Sequence, residues 1–155
     1  MGSVDADAHV VECEHTFDFL DPEFEKHRPL VVQSKDERTV SSQVGVLQRE
    51  FWFLDNRMLP KEGNIGANTA KGAREMEDIP GRLAHMDELG IDVQVLYPTV
   101  FLRPWTQTPE VEYALIRSYN RWLVNIWKQA PDRLRWVVMP HLLNLDKCGE
   151  ELEFG

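Results

Sequence analysis

The chain has 155 residues, 43% of them hydrophobic, and a formal net charge of −9 at pH 7. This size and apolar content suit one domain, or part of one, with a buried core. The excess of acidic residues argues against a nucleic-acid-binding protein and against a polybasic membrane anchor. Cys13 and Cys148 form neither a metal-binding pattern nor a disulfide framework. Without a signal peptide or a transmembrane-length apolar run, the expected location is cytoplasmic.

The first predicted element is a β-strand over residues 3–11, which carries the sequence VDADAHVV. Because alternate side chains of a strand share a face, Asp5, Asp7 and His9 are predicted to lie on one side of the sheet. A buried row of polar groups needs partners, since an unpaired buried carboxylate is costly. A divalent metal would satisfy Asp7 and His9, because carboxylate oxygen and imidazole nitrogen are common ligands of Zn, Mn and Fe. The alternative is a surface strand whose acids are solvated.

The next segment has the pattern of a short helix, then a hairpin, then a loop. Asp21 followed by Pro22 is typical of a helix start, and the helix is predicted to span residues 22–27. Residues 51–60 are rich in aromatic and apolar residues around the turn pair Asp55 and Asn56, which predicts a β-hairpin. The glycines in residues 61–74 predict a loop.

The rest of the chain alternates helix and strand, which is typical of a parallel α/β sheet. A helix ends at Gly90, a strand covers residues 91–97, and a second strand covers residues 136–140. Between the strands, Thr108 and Pro109 begin a long helix whose predicted apolar stripe consists of Val111, Leu115, Tyr119, Trp122 and Ile126. A last helix, with Asp146 as its candidate cap, is predicted to run to the C-terminus.

Three stretches in chain order resemble the amidohydrolase-related family, which includes aminocarboxymuconate-semialdehyde decarboxylase, resorcylate decarboxylases and several lactone hydrolases. They are DADAHVVE at residues 5–12, RLAHMDELGIDVQVLYPT at residues 82–99, and YNRWL with APDRL at residues 119–134. The resemblance implies an α/β fold, a (β/α)8 TIM-type barrel of ~250 residues or more. We therefore expect residues 1–155 to form the N-terminal part, about three β/α units, with residues 25–75 as an inserted hairpin and loop segment.

The resemblance also assigns candidate site residues, because barrel enzymes place their chemistry at the C-terminal ends of the strands. Asp7 and His9 stand where relatives carry a His-x-His or Glu-x-His pair of metal ligands. Glu12, Arg103 and His141 follow the strands and are candidate substrate-binding residues. Arg103 would hold a carboxylate through two parallel hydrogen bonds. The alternatives are a loop salt bridge or support of His9 for Glu12, a solvated loop for Arg103, and a hydrogen-bonded loop position for His141.

For function, the resemblance implies hydrolysis of an amide, ester or lactone by metal-activated water, with metal-dependent non-oxidative decarboxylation as the alternative. Zinc is the first expectation for the metal, with Mn or Fe as alternatives. The metal is expected to be weakly held or absent in this chain alone, because catalytic zinc sites usually supply three protein ligands. The expected partner is a small-molecule substrate rather than a nucleic acid or a membrane, and a carboxylate group is a candidate feature of that substrate.

A third reading is a non-catalytic fragment or assembly module. Three β/α units leave open sheet edges and an exposed apolar face, so self-association into a homo-oligomer is expected.

Overall fold

The computed structural model describes residues 2–33, 50–61 and 69–155, which form two three-stranded sheets and the helices that pack on them. The strands are β1 (Val4–His9), β2 (Leu30–Gln33), β3 (Glu50–Leu54), β4 (Arg57–Pro60), β5 (Val93–Tyr97) and β6 (Leu134–Trp136). The α-helices are α1 (Lys71–Arg74), α2 (Ile79–Glu88), α3 (Pro109–Trp127) and α4 (Cys148–Phe154). Short 3₁₀ helices cover Glu14–Phe17, Pro22–His27 and Leu145–Lys147.

The first sheet is parallel and has the strand order β1-β5-β6. Helix α2 precedes β5, and helix α3 connects β5 to β6, so adjacent strands of this sheet are joined by helical crossovers. This confirms the predicted parallel α/β sheet. Within the described ranges the sheet has three strands and does not close into a barrel, so it is compatible with part of a TIM-type barrel.

The two aspartates of β1 do not lie on the same side of the sheet, contrary to the prediction. The pairing register of β1 with β5 shifts between Asp5 and Ala8. Asp5 therefore lies on the helix-covered side, where the Gln94 side-chain amide donates to its carboxylate at 3.0 Å. The Asp7 side chain is 90% exposed. The prediction that Asp5, Asp7 and His9 share one face is wrong, because an irregularity in the strand breaks the two-residue alternation.

Helix α3 contacts β6 and the first 3₁₀ helix, and the buried residues of α2, α3 and the parallel strands form one core cluster. The predicted stripe of α3 is confirmed, since all its members are buried: Val111, Leu115, Tyr119, Trp122 and Ile126. The predicted end of α2 is confirmed as well. Gly90 follows it with φ of 69°, a left-handed conformation that suits glycine.

The second sheet is antiparallel, with the order β2-β3-β4. The predicted hairpin is confirmed as β3 and β4. Asp55 and Asn56 have φ of 48° and 57°, and positive φ at both positions is the mark of the type I′ turn that suits two-residue hairpins. Strand β2 was not predicted, because four residues after Pro29 carry too little pattern to distinguish them from a loop.

Several predicted boundaries and one predicted loop need correction. Strand β1 covers Val4–His9 rather than residues 3–11, and β5 begins at Val93 rather than at residue 91. The loop prediction for residues 61–74 is wrong at Lys71–Arg74, which form α1, while residues 62–68 lie outside the described part. Strand β6 covers Leu134–Trp136 rather than residues 136–140, so it ends four residues earlier than predicted. The reason is that Asn120 of α3 binds the backbone N–H and C=O of Met139, which removes them from the ladder. Asp146 lies inside a 3₁₀ turn and does not cap α4.

None of the helices in the described ranges is both long enough and apolar enough to cross a membrane.

Candidate functional site

Asp7 and His9 lie near the C-terminal end of β1, and their side chains face each other. The Nδ1 atom of His9 lies 2.8 Å from the carbonyl oxygen of Pro98. Because a carbonyl oxygen can only accept a hydrogen bond, Nδ1 carries a proton, and in the neutral imidazole Nε2 is then the nitrogen with the lone pair. Nε2 lies 3.6 Å from Oδ1 of Asp7. His9 is about one-third exposed and Asp7 is largely exposed, so both reach solvent at this edge.

The donor chemistry of this pair fits two positions of a metal site. Metal-binding histidines usually donate their second ring N–H to a carbonyl or carboxylate, as His9 does to Pro98. Two ligands that lie about 2.1 Å from a tetrahedral ion are roughly 3.4 Å apart, close to the separation of Nε2 and Oδ1 here. In the part of the chain that the structure describes, no group of three or more His, Cys, Asp or Glu side chains is arranged to hold a metal.

Glu12 is buried, unlike Asp7 and His9, which reach solvent. Its side chain is fully buried, and its carboxylate accepts hydrogen bonds from the backbone N–H groups of Thr99 and Val100 at 3.1–3.2 Å. Burial raises the pKa of Glu12 to about 7, although the backbone hydrogen bonds oppose the shift. Burial and the nearby Glu12 charge also raise the pKa of Tyr119, whose hydroxyl has no hydrogen-bond partner among the described residues. A substrate-binding role for Glu12 stays a prediction.

Arg103 lies in the exit loop of β5, where it is exposed. It borders a cleft of about 130 Å³ between this loop and strand β4 of the hairpin. The other lining residues are mostly apolar: Leu59, Pro60, Thr99, Val100, Pro104 and Trp105. One guanidinium at the rim of an apolar cleft can receive an anionic group of a small ligand.

An aromatic cluster supports this cleft from below. Trp105 stacks on Phe101 with ring centroids 4.9 Å apart, and its indole N–H donates to the Val100 carbonyl. Trp52 of β3 contacts both Trp105 and Phe17. Because this cluster joins β3 to the exit loop of β5, the hairpin forms one wall of the cleft.

His141 is buried against helix α3. Its side chain is completely buried, and neither ring nitrogen has a hydrogen-bond partner in the described structure. The ring packs on Tyr113 of α3 with centroids 4.7 Å apart, and the Cys148 thiol of α4 donates to its backbone carbonyl. Burial lowers the pKa of His141 and is the largest influence on it, although nearby carboxylates oppose the shift. No metal-binding group of three or more side chains in the described structure includes its ring, and its substrate-binding role stays a prediction.

The sequence analysis missed two buried residues that hydrogen bond to β1, the strand that carries Asp7 and His9. Arg82 of α2 donates to the His9 carbonyl at 3.2 Å and to the Gln94 side chain at 2.8 Å. Both Arg82 and Gln94 are buried. A sequence signal existed, because Gln94 interrupts an otherwise apolar strand and needs a buried polar partner.

Comparisons with known proteins find a similarity in structure. No protein-family model matches the sequence, and no curated protein matches it. Among solved structures, the crystal structure of an amidohydrolase from Mycobacterium avium subsp. paratuberculosis K-10 is similar, with a TM-score of 0.64 and 17% identity. The fold is amidohydrolase-like. The alignment covers 99% of this chain and 46% of that protein, so the chain spans about half the length of the amidohydrolase.

Proposed function

We propose that this chain supplies the first metal ligands, Asp7 and His9, of an amidohydrolase-type hydrolase. The observation that carries the proposal is the geometry of His9. Its Nδ1–H is held by the Pro98 carbonyl, and its Nε2 atom lies 3.6 Å from the Asp7 carboxylate at the C-terminal edge of a parallel sheet. The likeness in fold to an amidohydrolase supports the same assignment.

When bound, a divalent metal would act as a Lewis acid that activates water toward the carbonyl of an amide, ester or lactone. Zinc suits one imidazole and one carboxylate, and Mn or Fe are the alternatives. The chain's own contribution is to fix the His9 ring and to leave the Asp7 carboxylate exposed. Arg103 would orient a substrate that bears a carboxylate through charge-assisted hydrogen bonds.

Decarboxylation is the second candidate, and the cleft beside Arg103 favours it. A flat carboxylate-bearing substrate would place its ring against Pro60 and Trp105 and its charge on the guanidinium. The hydrolase and decarboxylase proposals share the same two metal ligands.

Metal binding is the first test, since both chemistries need it. Isothermal titration with Zn²⁺ is expected to show weak binding at one site per chain, because two protein ligands hold zinc less tightly than the usual three. This binding is expected to be lost in Asp7→Asn and in His9→Gln. The matched control is His15 with Asp18, an exposed pair on the first 3₁₀ helix with 2.8 Å between Nδ1 and Oδ2. His15→Gln is expected to leave the zinc affinity unchanged. Equal losses in the His9 and His15 variants would mean nonspecific binding and would overturn the proposal.

Activity assays then separate the chemistries. With Zn²⁺ present, the chain is incubated with an aryl ester, a lactone and an anilide, and separately with a dihydroxybenzoate while released carbon dioxide is measured. The hydrolase proposal expects ester or lactone cleavage that disappears in Asp7→Asn. Release of carbon dioxide alone would favour the decarboxylase. Zinc binding without either reaction would assign this chain a partial site.

The uncovered sheet face motivates the homo-oligomer proposal. On β1, Val4 is 60% exposed, and Val93 and Val95 of β5 are only partly buried. Apolar surface of this kind favours association. Sedimentation velocity is expected to show a species larger than 18.0 kDa, and Val93→Lys is expected to shift it toward monomer. A wild-type chain that sediments as a monomer at high concentration would contradict this.

A further inference from the structure

The segments that leave β1 and β5 are hydrogen bonded to each other at several points. The backbone N–H of Val10 donates to the Tyr97 carbonyl at 3.0 Å. The hydroxyl of Thr99 donates to the Val10 carbonyl at 2.6 Å. The His9 ring and the Glu12 carboxylate add two side-chain contacts from the β1 segment to residues 98–100. The exit of β1 is thus fixed to the exit of β5 by both backbone and side chains.

Two of these contacts fall on a single peptide group. The Pro98 carbonyl accepts from His9 Nδ1, and the Thr99 N–H, which belongs to the same planar peptide unit, donates to Glu12 Oε1 at 3.1 Å. In a trans peptide the C=O and N–H point in opposite directions, so one unit connects the imidazole to the carboxylate. Hydrogen bonds in such a chain strengthen one another by polarisation.

Glu12 is well placed to hold this peptide group rigidly. Its side chain has no solvent exposure, and both of its oxygens also accept from the Val100 N–H at 3.1–3.2 Å. A buried carboxylate that accepts hydrogen bonds from backbone amides restricts the conformation of a loop more than exchanging water molecules do. We infer that Glu12 is a positioning residue that fixes the Pro98–Thr99 peptide and thereby keeps the proton of His9 on Nδ1 and the lone pair on Nε2.

The expected effect of Glu12 on metal binding rests on the proposed function, whereas its expected effect on the His9 tautomer does not. If His9 binds a metal, only the Nδ1–H tautomer presents Nε2 as a ligand toward Asp7. If no metal binds, Glu12 still determines which His9 nitrogen is protonated. The two ideas therefore fail in different measurements.

The experiment is a long-range ¹H–¹⁵N correlation spectrum of the metal-free, ¹⁵N-labelled chain, which reports the protonated nitrogen of each histidine. The wild type is expected to show His9 as the neutral Nδ1–H tautomer. In Glu12→Ala the Pro98 carbonyl loses its support, and the His9 signals are expected to shift toward a mixture of tautomers. Glu12→Gln keeps an amide oxygen that can accept from Thr99, so it is expected to retain most of the wild-type pattern.

Glu112→Ala is the matched control. Glu112 of α3 is also a buried glutamate that accepts a hydrogen bond from a loop backbone. Its donor is the Leu143 N–H at 2.8 Å, which lies on the exit loop of β6 rather than of β5. Its loss is expected to leave the His9 signals unchanged. Should Glu12→Ala fail to fold, Glu12→Asp, which withdraws the carboxylate by one methylene group, is expected to give the same tautomer shift.

Zinc affinity is the second readout. Loss of a residue that orients a metal-binding histidine typically weakens binding about 10- to 100-fold, and this range is expected for Glu12→Ala, with a smaller loss for Glu12→Gln. A folded Glu12→Ala or Glu12→Asp variant with the wild-type His9 spectrum would overturn the inference. A tautomer shift in a chain that binds no zinc would sustain it and would count against the metal proposal instead.

Discussion

Both sheets of this protein bury charged side chains, but they give them different partners. In the antiparallel sheet, Lys61 is 3% exposed, and its ammonium contacts Glu75 at 2.7 Å and Glu50 at 3.0 Å. At the edge of the parallel sheet, the hydrogen bonds that the buried Glu12 carboxylate accepts from described residues come from backbone amides. The first arrangement pairs opposite charges, and the second surrounds a single carboxyl group with neutral backbone dipoles.

The difference shows how one chain separates anchoring from positioning. Burial lowers the pKa of Lys61, but the hydrogen bonds and charges of Glu75 and Glu50 together raise it, so the lysine stays charged. Burial instead raises the pKa of Glu12 to about 7. The ion-paired cluster attaches the hairpin to α1, whereas the carboxylate of Glu12 fixes a peptide beside His9. We expect mutations in the two places to affect different properties.

The largest expected effect is on the anchor. Lys61→Met leaves the nearly fully buried carboxylate of Glu75 without its closest cation. Breaking a buried ion pair from one side costs about 3–5 kcal/mol in the free energy of unfolding. Urea unfolding measures the loss, and the double variant Lys61→Met with Glu75→Leu is expected to recover part of it. A loss below about 1 kcal/mol would contradict the buried pair.

The second effect depends on pH. Because folding raises the pKa of Glu12 from 4.5 to about 7, the protonated carboxyl is favoured in the native state. Its contribution to stability is fully present below about pH 4.5 and is lost as the pH rises through 7. The wild type is therefore expected to lose roughly 3 kcal/mol relative to Glu12→Gln over this interval.

Urea unfolding of both proteins at several pH values gives this difference, in which the other titrating groups cancel. A stability difference that stays constant from pH 4.5 to 8 would mean that the carboxyl keeps its ordinary pKa.

The smallest effect on stability belongs to the candidate ligand. Asp7→Asn changes a side chain that is 90% exposed and is expected to alter the free energy of unfolding by less than about 0.5 kcal/mol. The same variant is expected to lose zinc binding. This outcome would separate function from stability at the parallel sheet. A destabilisation similar to that of Lys61→Met would show that Asp7 is structural.

Part of the structure followed from local sequence alone. The turn pair Asp55 and Asn56 determined the hairpin, because few residue types accept positive φ at both turn positions. The stripe of α3 and the Gly90 end of α2 followed from helical spacing and from the left-handed preference of glycine. The alternation of helices and strands determined the parallel sheet, and the pattern at Asp7 and His9 placed the candidate ligands at a strand end.

Tertiary structure decided what depends on distant partners. The contact between Glu12 and Thr99 joins residues 87 positions apart, and no local periodicity reports it. The register shift that turns Asp5 away from Asp7 arises from pairing with β5. The burial of His141 depends on how α4 packs against α3. Local sequence sets dihedral preferences and apolar faces, but register, burial and the partner of a polar group are set by which elements meet in space.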